Sequence, residues 1–143
     1  MKILVSACLL GRNCKYNGGN NYDPKVEALL KDHVPVPVCP ERMAGLGVPR
    51  TPIEIVNGEV KDRNGNSVDA PLRRAVEMIL TQVRREGIRY AILKSRSPTC
   101  GVRQVYDGTF SGTLKDGAGV LAQALIEAGC QVFDSEDIPE KIP

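Results

Sequence analysis

Two rhythms of apolar and polar residues alternate along this chain, and each change of rhythm marks an element boundary. The opening Lys2-Ile-Leu-Val-Ser-Ala is a short, nearly continuous apolar run, the pattern of a strand buried on both faces. Residues 9–21 form a Gly/Asn-rich stretch that suits a loop and not a helix or strand. Asp23 as N-cap and Pro24 at the first helical position then predict a helix to about residue 30. Val34-Pro-Val-Pro-Val-Cys39 alternates β-branched residues with prolines, which cannot donate to a ladder; it predicts a short strand lightly paired on at least one side. Within residues 53–61, Asn57-Gly58 is a strong hairpin turn signal, placing an antiparallel appendage beside the main sheet.

The clearest helix opens at Asp69-Ala-Pro71. Leu72, Ala75, Val76, Ile79, Leu80 and Val83 recur at helical spacing, and Gly87 supplies the stop. Arg73, Arg74, Arg84 and Arg85 fall largely opposite that stripe, on a solvated face. A strand at 90–93, a helix at 120–128 closed by Gly129, and a strand at 130–133 complete the chain. Strands alternating with helices predict an α/β fold: a three-layer, mainly parallel, Rossmann-like sheet with a small β-hairpin appendage. No internal repeat or composition shift interrupts residues 1–143, which read as a single domain long enough to bury a core.

Composition narrows the function classes only a little. The net charge of +2 is too small to indicate nucleic acid or an anionic membrane as partner, and aromatic residues make up 4% with no Trp, so no stacking platform for single strands is visible. No segment reaches the roughly 18 apolar residues a membrane span needs, and the opening run is too short for a secretion signal. The expectation is a cytoplasmic protein without a membrane partner, in which five cysteines serve as ligands, catalytic groups or buried apolar residues more readily than as disulfides.

Four of those cysteines, Cys8, Cys14, Cys39 and Cys100, lie at or just beyond predicted strand ends. The carboxyl ends of strands in an open parallel sheet converge on one crevice, so thiols distant in sequence can meet there and form a soft metal centre. Structural zinc sites carry short paired spacings such as C-x-x-C, which are absent, and His33 is the only histidine. Iron–sulfur ligation fits better, because thiolates hold such clusters at widely varying spacings; three ligands to a [4Fe–4S] cluster would leave one iron open as a Lewis acid. Cys130, beside an apolar strand, reads as a small core residue. Glu41 in Cys39-Pro-Glu41 is either surface charge or an acid/base beside the metal. Ser95-Arg-Ser-Pro-Thr-Cys-Gly101 is rich in hydroxyls for a loop after a strand, where binding residues gather. Gly117-Ala-Gly119-Val-Leu-Ala122 formally matches a dinucleotide fingerprint, but Thr113-Leu-Lys-Asp before it is a poor strand. The preferred reading is a helix N-terminus packed against the site, with N–H groups offered to an anion.

Taken together, Ala7-Cys-Leu-Leu-Gly11, Cys14-Lys-Tyr16, Cys39-Pro-Glu41, Gly47-Val-Pro-Arg50, Lys94-Ser-Arg-Ser-Pro-Thr-Cys-Gly101 and Tyr106-Asp-Gly-Thr-Phe110 resemble the thiouracil desulfidase family, in order and over nearly the whole chain. The resemblance implies a [4Fe–4S]-dependent, non-redox removal of sulfur from thiolated uracil. It implies Cys8, Cys39 and Cys100 as cluster ligands, with Cys14 as an alternative to Cys8. It further implies an open iron that binds the substrate sulfur, Glu41 as acid/base, Ser97 as the hydroxyl that positions or protonates substrate, and release of hydrosulfide. Free base, nucleoside and thiolated RNA all remain open as substrates. A non-catalytic zinc- or iron–sulfur-binding module is the alternative from a different class.

Overall fold

Four parallel strands form the central sheet, in the order β2-β1-β5-β8, with β1 Lys2–Ser6, β2 Val34–Val38, β5 Tyr90–Leu93 and β8 Gln131–Asp134. The computed structural model describes residues 1–143. Leu4 sits opposite Val36 on one side and Ala91 on the other, and Ile92 opposite Phe133. Because side chains alternate between faces, each strand feeds two cores. Leu4, Val38, Ala91 and Leu93 pack into the larger one, under helices α3 (Asp69–Glu86) and α4 (Val120–Glu127). Ile3, Val5 and Ile92 pack into the smaller, with Val26 of helix α1 (Pro24–Leu29) and Leu30. Helices on both faces of a parallel sheet make the three layers that the alternation of elements predicts.

The element signals are realised locally. The Asp23 carboxylate accepts the N–H groups of Lys25 and Val26, so the predicted N-cap is a real one. The buried residues of α3 are the six of the predicted stripe, and Gly87 ends the helix at φ 65°, a left-handed value that favours glycine. Asn57 and Gly58 both have positive φ, as a two-residue hairpin turn between β3 (Ile53–Val56) and β4 (Glu59–Asp62) requires. The proline-rich strand β2 is an edge strand, paired only with β1. Val34 N–H donates to Met1 O, toward β1, so Pro35 and Pro37 fall at the alternate positions that face away from the sheet. No helix is long and apolar enough to cross a membrane.

The structure adds a helical turn and a two-stranded ribbon to the elements that the sequence predicts. Pro40–Met43 is a single helical turn, α2, begun by proline directly after Cys39. Leu114–Asp116, rated a poor strand, is strand β7, paired antiparallel with β6 (Gln104–Tyr106). Only Val105 of that ribbon is buried, so its hydrophobic pattern carries almost no strand signal.

Candidate active site

The strand order places a topological switch between β1 and β5. The chain leaves β1 for β2 on one side and leaves β5 for β8 on the other, and such switch points open a crevice at the carboxyl ends of the strands. Serine side chains knit those ends together. Ser6 Oγ accepts the Lys94 N–H at 2.9 Å, and Ser135 Oγ accepts that of Ser95 at 3.0 Å. Above them lies a cavity of about 510 Å³, within the size range of small-molecule sites.

Cys8, Cys14, Cys39 and Cys100 all line this cavity, as do Glu41 and Ser97. Cys8 follows β1 in a short 3₁₀ turn, Cys39 follows β2 directly as the N-cap of α2, and Cys100 ends the loop after β5. Cys14 reaches the cavity from the Gly/Asn-rich loop, and its backbone carbonyl accepts the Cys39 thiol at 3.9 Å. Cys130 is elsewhere, half-buried, with its thiol on Ile88 O at 3.7 Å. All five cysteines are free thiols.

Burial is the largest cause raising the Cys8, Cys14 and Cys100 thiols above their ordinary pKa, with Cys100 pushed up to about 12. Hydrogen bonds from Asn21 to Cys8, and from Ser6 and Thr99 to Cys100, act in the opposite direction. A cation entering the cavity would therefore displace thiol protons, as metal binding to thiols requires. No three His, Cys, Asp or Glu side chains are gathered closely enough to grip one metal ion. Thiolates around a single zinc would lie about 4 Å from one another, given a Zn–S bond of about 2.3 Å. Thiols from three separate strand ends, lining a cavity of about 510 Å³, fit a larger thiolate-ligated group.

The Cys100 loop is heavily braced. Ser97 Oγ accepts the N–H groups of Thr99 and Cys100, both at 3.1 Å, and shares a proton with Thr99 Oγ1 at 3.0 Å. Thr99 Oγ1 in turn donates to Cys100 Sγ at 3.6 Å. From below, α4 presses on the same loop. A Cβ on Gly119 would lie 2.5 Å from the Thr99 carbonyl carbon. The close packing expected of this glycine-rich helix start is present, but its donors are not offered to an anion. Val120 N–H donates to Pro98 O, and those of Leu121 and Ala122 to Thr99 O. The dinucleotide reading of Gly117 to Ala122 fails for the same reason, since the N–H groups that would cradle a pyrophosphate are already taken.

Glu41 owes its position to the turn α2 and to a residue that sequence reading left without a role. Arg50 Nη2 donates to Glu41 Oε2 at 2.9 Å and to Cys14 O at 2.8 Å, while Nη1 donates to Gly47 O at 2.9 Å. The Arg50 side chain is 6% exposed and that of Glu41 16%, so the pair is nearly withdrawn from water. Burial raises the Glu41 pKa above the usual carboxylate value, and Arg50 opposes the rise. Oε1 of Glu41 has no partner in the protein. Surface charge, one of the two sequence readings, is excluded by this placement. Arg50→Met is expected to strand the carboxylate and cost about 2–3 kcal/mol, somewhat below the cost for a pair sealed from water. A lower urea midpoint at unchanged slope would register it, and an unchanged midpoint would refute it.

The 2-thiouracil desulfurase family model matches residues 3–137. The chain belongs to that family. A relative from Bacillus subtilis (strain 168), the uncharacterized protein YbbK, is 34% identical over 146 residues, covering 95% of this chain and 97% of its own. A solved structure of a [4Fe-4S]-dependent thiouracil desulfidase, TudS (DUF523Vcz), superposes with a TM-score of 0.91 at 37% identity, covering 97% of this chain and 93% of that one. This 2-thiouracil desulfurase family member thus has the expected α/β architecture. Its cavity also includes residues that motif reading did not assign a role: Arg50, Asn21, Lys94, Tyr16, Tyr106 and Phe110. Most lie inside the quoted motifs, and only that signal could have found them.

Proposed function

We propose that this protein is a [4Fe–4S]-dependent, non-redox desulfidase that converts a thiolated uracil and water into uracil and hydrosulfide. The observation that carries the reading is the convergence of three strand-end thiols and a largely buried carboxylate on one cavity. Cys8, Cys39 and Cys100 would hold the cluster, one thiol from each of three neighbouring strands; Cys14, which comes from the Gly/Asn-rich loop and not from a strand end, would stay outside the ligand set. When bound through three thiolates, the cluster supplies a thiophilic iron without a protein ligand, which favours sulfur over oxygen as the leaving atom.

The remaining chemistry belongs to the chain. Arg50 fixes one oxygen of Glu41, leaving Oε1 to take a proton from a water aimed at the ring carbon. Its raised pKa makes Glu41 a stronger base than an ordinary carboxylate, and the conjugate acid can return the proton to the departing sulfur. The Ser97 hydroxyl, while bracing the Cys100 loop, can turn its proton about the Cβ–Oγ bond toward a substrate atom in the cavity. Carbon keeps its oxidation state throughout, so no electron donor enters the balance. We further assign residues 1–143 to one desulfidase-like domain and, from five free thiols, place it in the reducing cytoplasm.

Anaerobic reconstitution followed by hydrosulfide assay on 2-thiouracil and 4-thiouracil tests the reading. About four irons per chain and hydrosulfide equimolar with uracil are expected. Cys8→Ser, Cys39→Ser and Cys100→Ser should each lose iron, whereas Cys14→Ser should keep it. Stoichiometric zinc without iron would favour the non-catalytic binding module instead.

A further inference from the structure

We infer that Phe110 is the stacking surface for the substrate's pyrimidine ring and that Glu54 is the positioning residue that holds it there. This inference rests on the desulfidase reading and names a part of the same site. The connection between β6 and β7 is more elaborate than an exposed hairpin of that length needs. Asp107 Oδ1 accepts the Thr109 N–H at 3.0 Å, and a hydroxyl chain continues from Thr109 through Ser111 to Thr113. The loop is also fastened to β3. Glu54, 8% exposed, accepts the Gly108 N–H at 2.9 Å and the Phe110 N–H at 3.2 Å on a single oxygen, Oε1. Gly108 lies so close to β3 that a Cβ there would fall 2.6 Å from Ile55 O.

What this fastening presents is one aromatic side chain. Phe110 has φ 55°, a left-handed backbone that is unusual for a bulky residue and persists only where the surroundings enforce it. Glu54 supplies the enforcement, because its carboxylate is buried and gains its hydrogen bonds only with the loop in this conformation. Phe110 lines the same cavity as the cysteines and is only partly buried, so its ring is available to a ligand. The thiols and Glu41 approach the reacting C–S bond, but none of them offers a flat apolar face to the rest of a planar heterocycle. Phe110 does, and Tyr106 lines the same cavity.

Equilibrium binding of uracil and steady-state hydrosulfide release from 4-thiouracil, both on the cluster-loaded protein, test the assignment. Phe110→Leu keeps apolar bulk but removes the ring face. It is expected to weaken uracil binding and raise KM by about tenfold, the scale of one lost base–aromatic stack. Because ground and transition states stack alike, kcat should change little, and Phe110→Tyr should restore KM. Glu54→Ala should reproduce the KM rise, and Glu54→Gln, which keeps the Oε1 acceptor, should rescue it. A kcat loss at unchanged KM, or failure of tyrosine to rescue, would overturn the assignment. Wild-type protein that releases no hydrosulfide overturns the desulfidase reading itself. Wild-type protein that turns over while Phe110→Leu binds uracil normally overturns the stacking surface alone.

Discussion

Replacing Glu41 with glutamine is expected to leave an iron-loaded, folded protein whose turnover falls by about 10²–10⁴, the range over which a positioned acid/base acts. Glutamine matches glutamate in shape and keeps an oxygen for the Arg50 guanidinium, so the contacts to Cys14 O and Gly47 O need not change. What it loses is the ability to accept a proton at Oε1. The separation of effects is the informative part, because Glu41 stands two residues from Cys39 and could serve the fold alone. Iron content, the visible absorption of the cluster and the urea midpoint should match wild type while hydrosulfide release collapses. A variant that turns over normally, or one that loses iron together with activity, would return Glu41 to a structural role.

An equally large effect, on stability this time, is expected from Gly119→Ala. The backbone at Gly119, with φ −69° and ψ 168°, is one any residue adopts, so the substitution carries no conformational strain. The cost is purely steric. The new Cβ would lie 2.5 Å from Thr99 C, 2.6 Å from Thr99 O and 2.8 Å from Cys100 N, all backbone atoms that cannot swing aside like a side-chain tip. Overpacking of a tight interior costs about 1–3 kcal/mol, and contacts this short with main chain put the expected loss at or above about 3 kcal/mol. Relief would come by pushing α4 away from the 97–101 loop, breaking the bonds from Val120 and Leu121 N–H groups and shifting Cys100. Iron stoichiometry should therefore fall along with the denaturation midpoint. A midpoint and iron content equal to wild type would show that the loop and helix are not locked together.

The parts of this molecule that the chain announces are those whose cause is local. The stripe from Leu72 to Val83 specifies α3, the Asn57-Gly58 turn specifies the hairpin, and Asp23 caps α1, each through neighbours a few residues apart. Strand ends holding cysteines are legible because parallel topology makes their carboxyl ends meet. The features that escaped depend on distant partners or on too little pattern. A single turn such as Pro40–Met43 has no period to detect, and the β6–β7 ribbon buries one side chain. Arg50 becomes a site residue only because the chain after α2 folds back onto Glu41 and Cys14, and Glu54 only because a loop more than fifty residues later lands on it. The anion expected at Gly119 was misplaced for a similar reason: nothing in 117–122 reveals that Pro98 and Thr99 already occupy those donors.

The two prolines of β2 carry a consequence for how this protein survives at high concentration. An exposed edge of a parallel sheet is ordinarily a template on which another chain can add a strand. Here the outward positions of the edge are Pro35 and Pro37, which have no N–H to give. An incoming strand would find carbonyls without the donors that must alternate with them, and two rigid rings standing in its path. The β2 edge of the sheet is therefore chemically terminated, and the chain can place a cysteine at the end of an edge strand without making that edge a seed for aggregation.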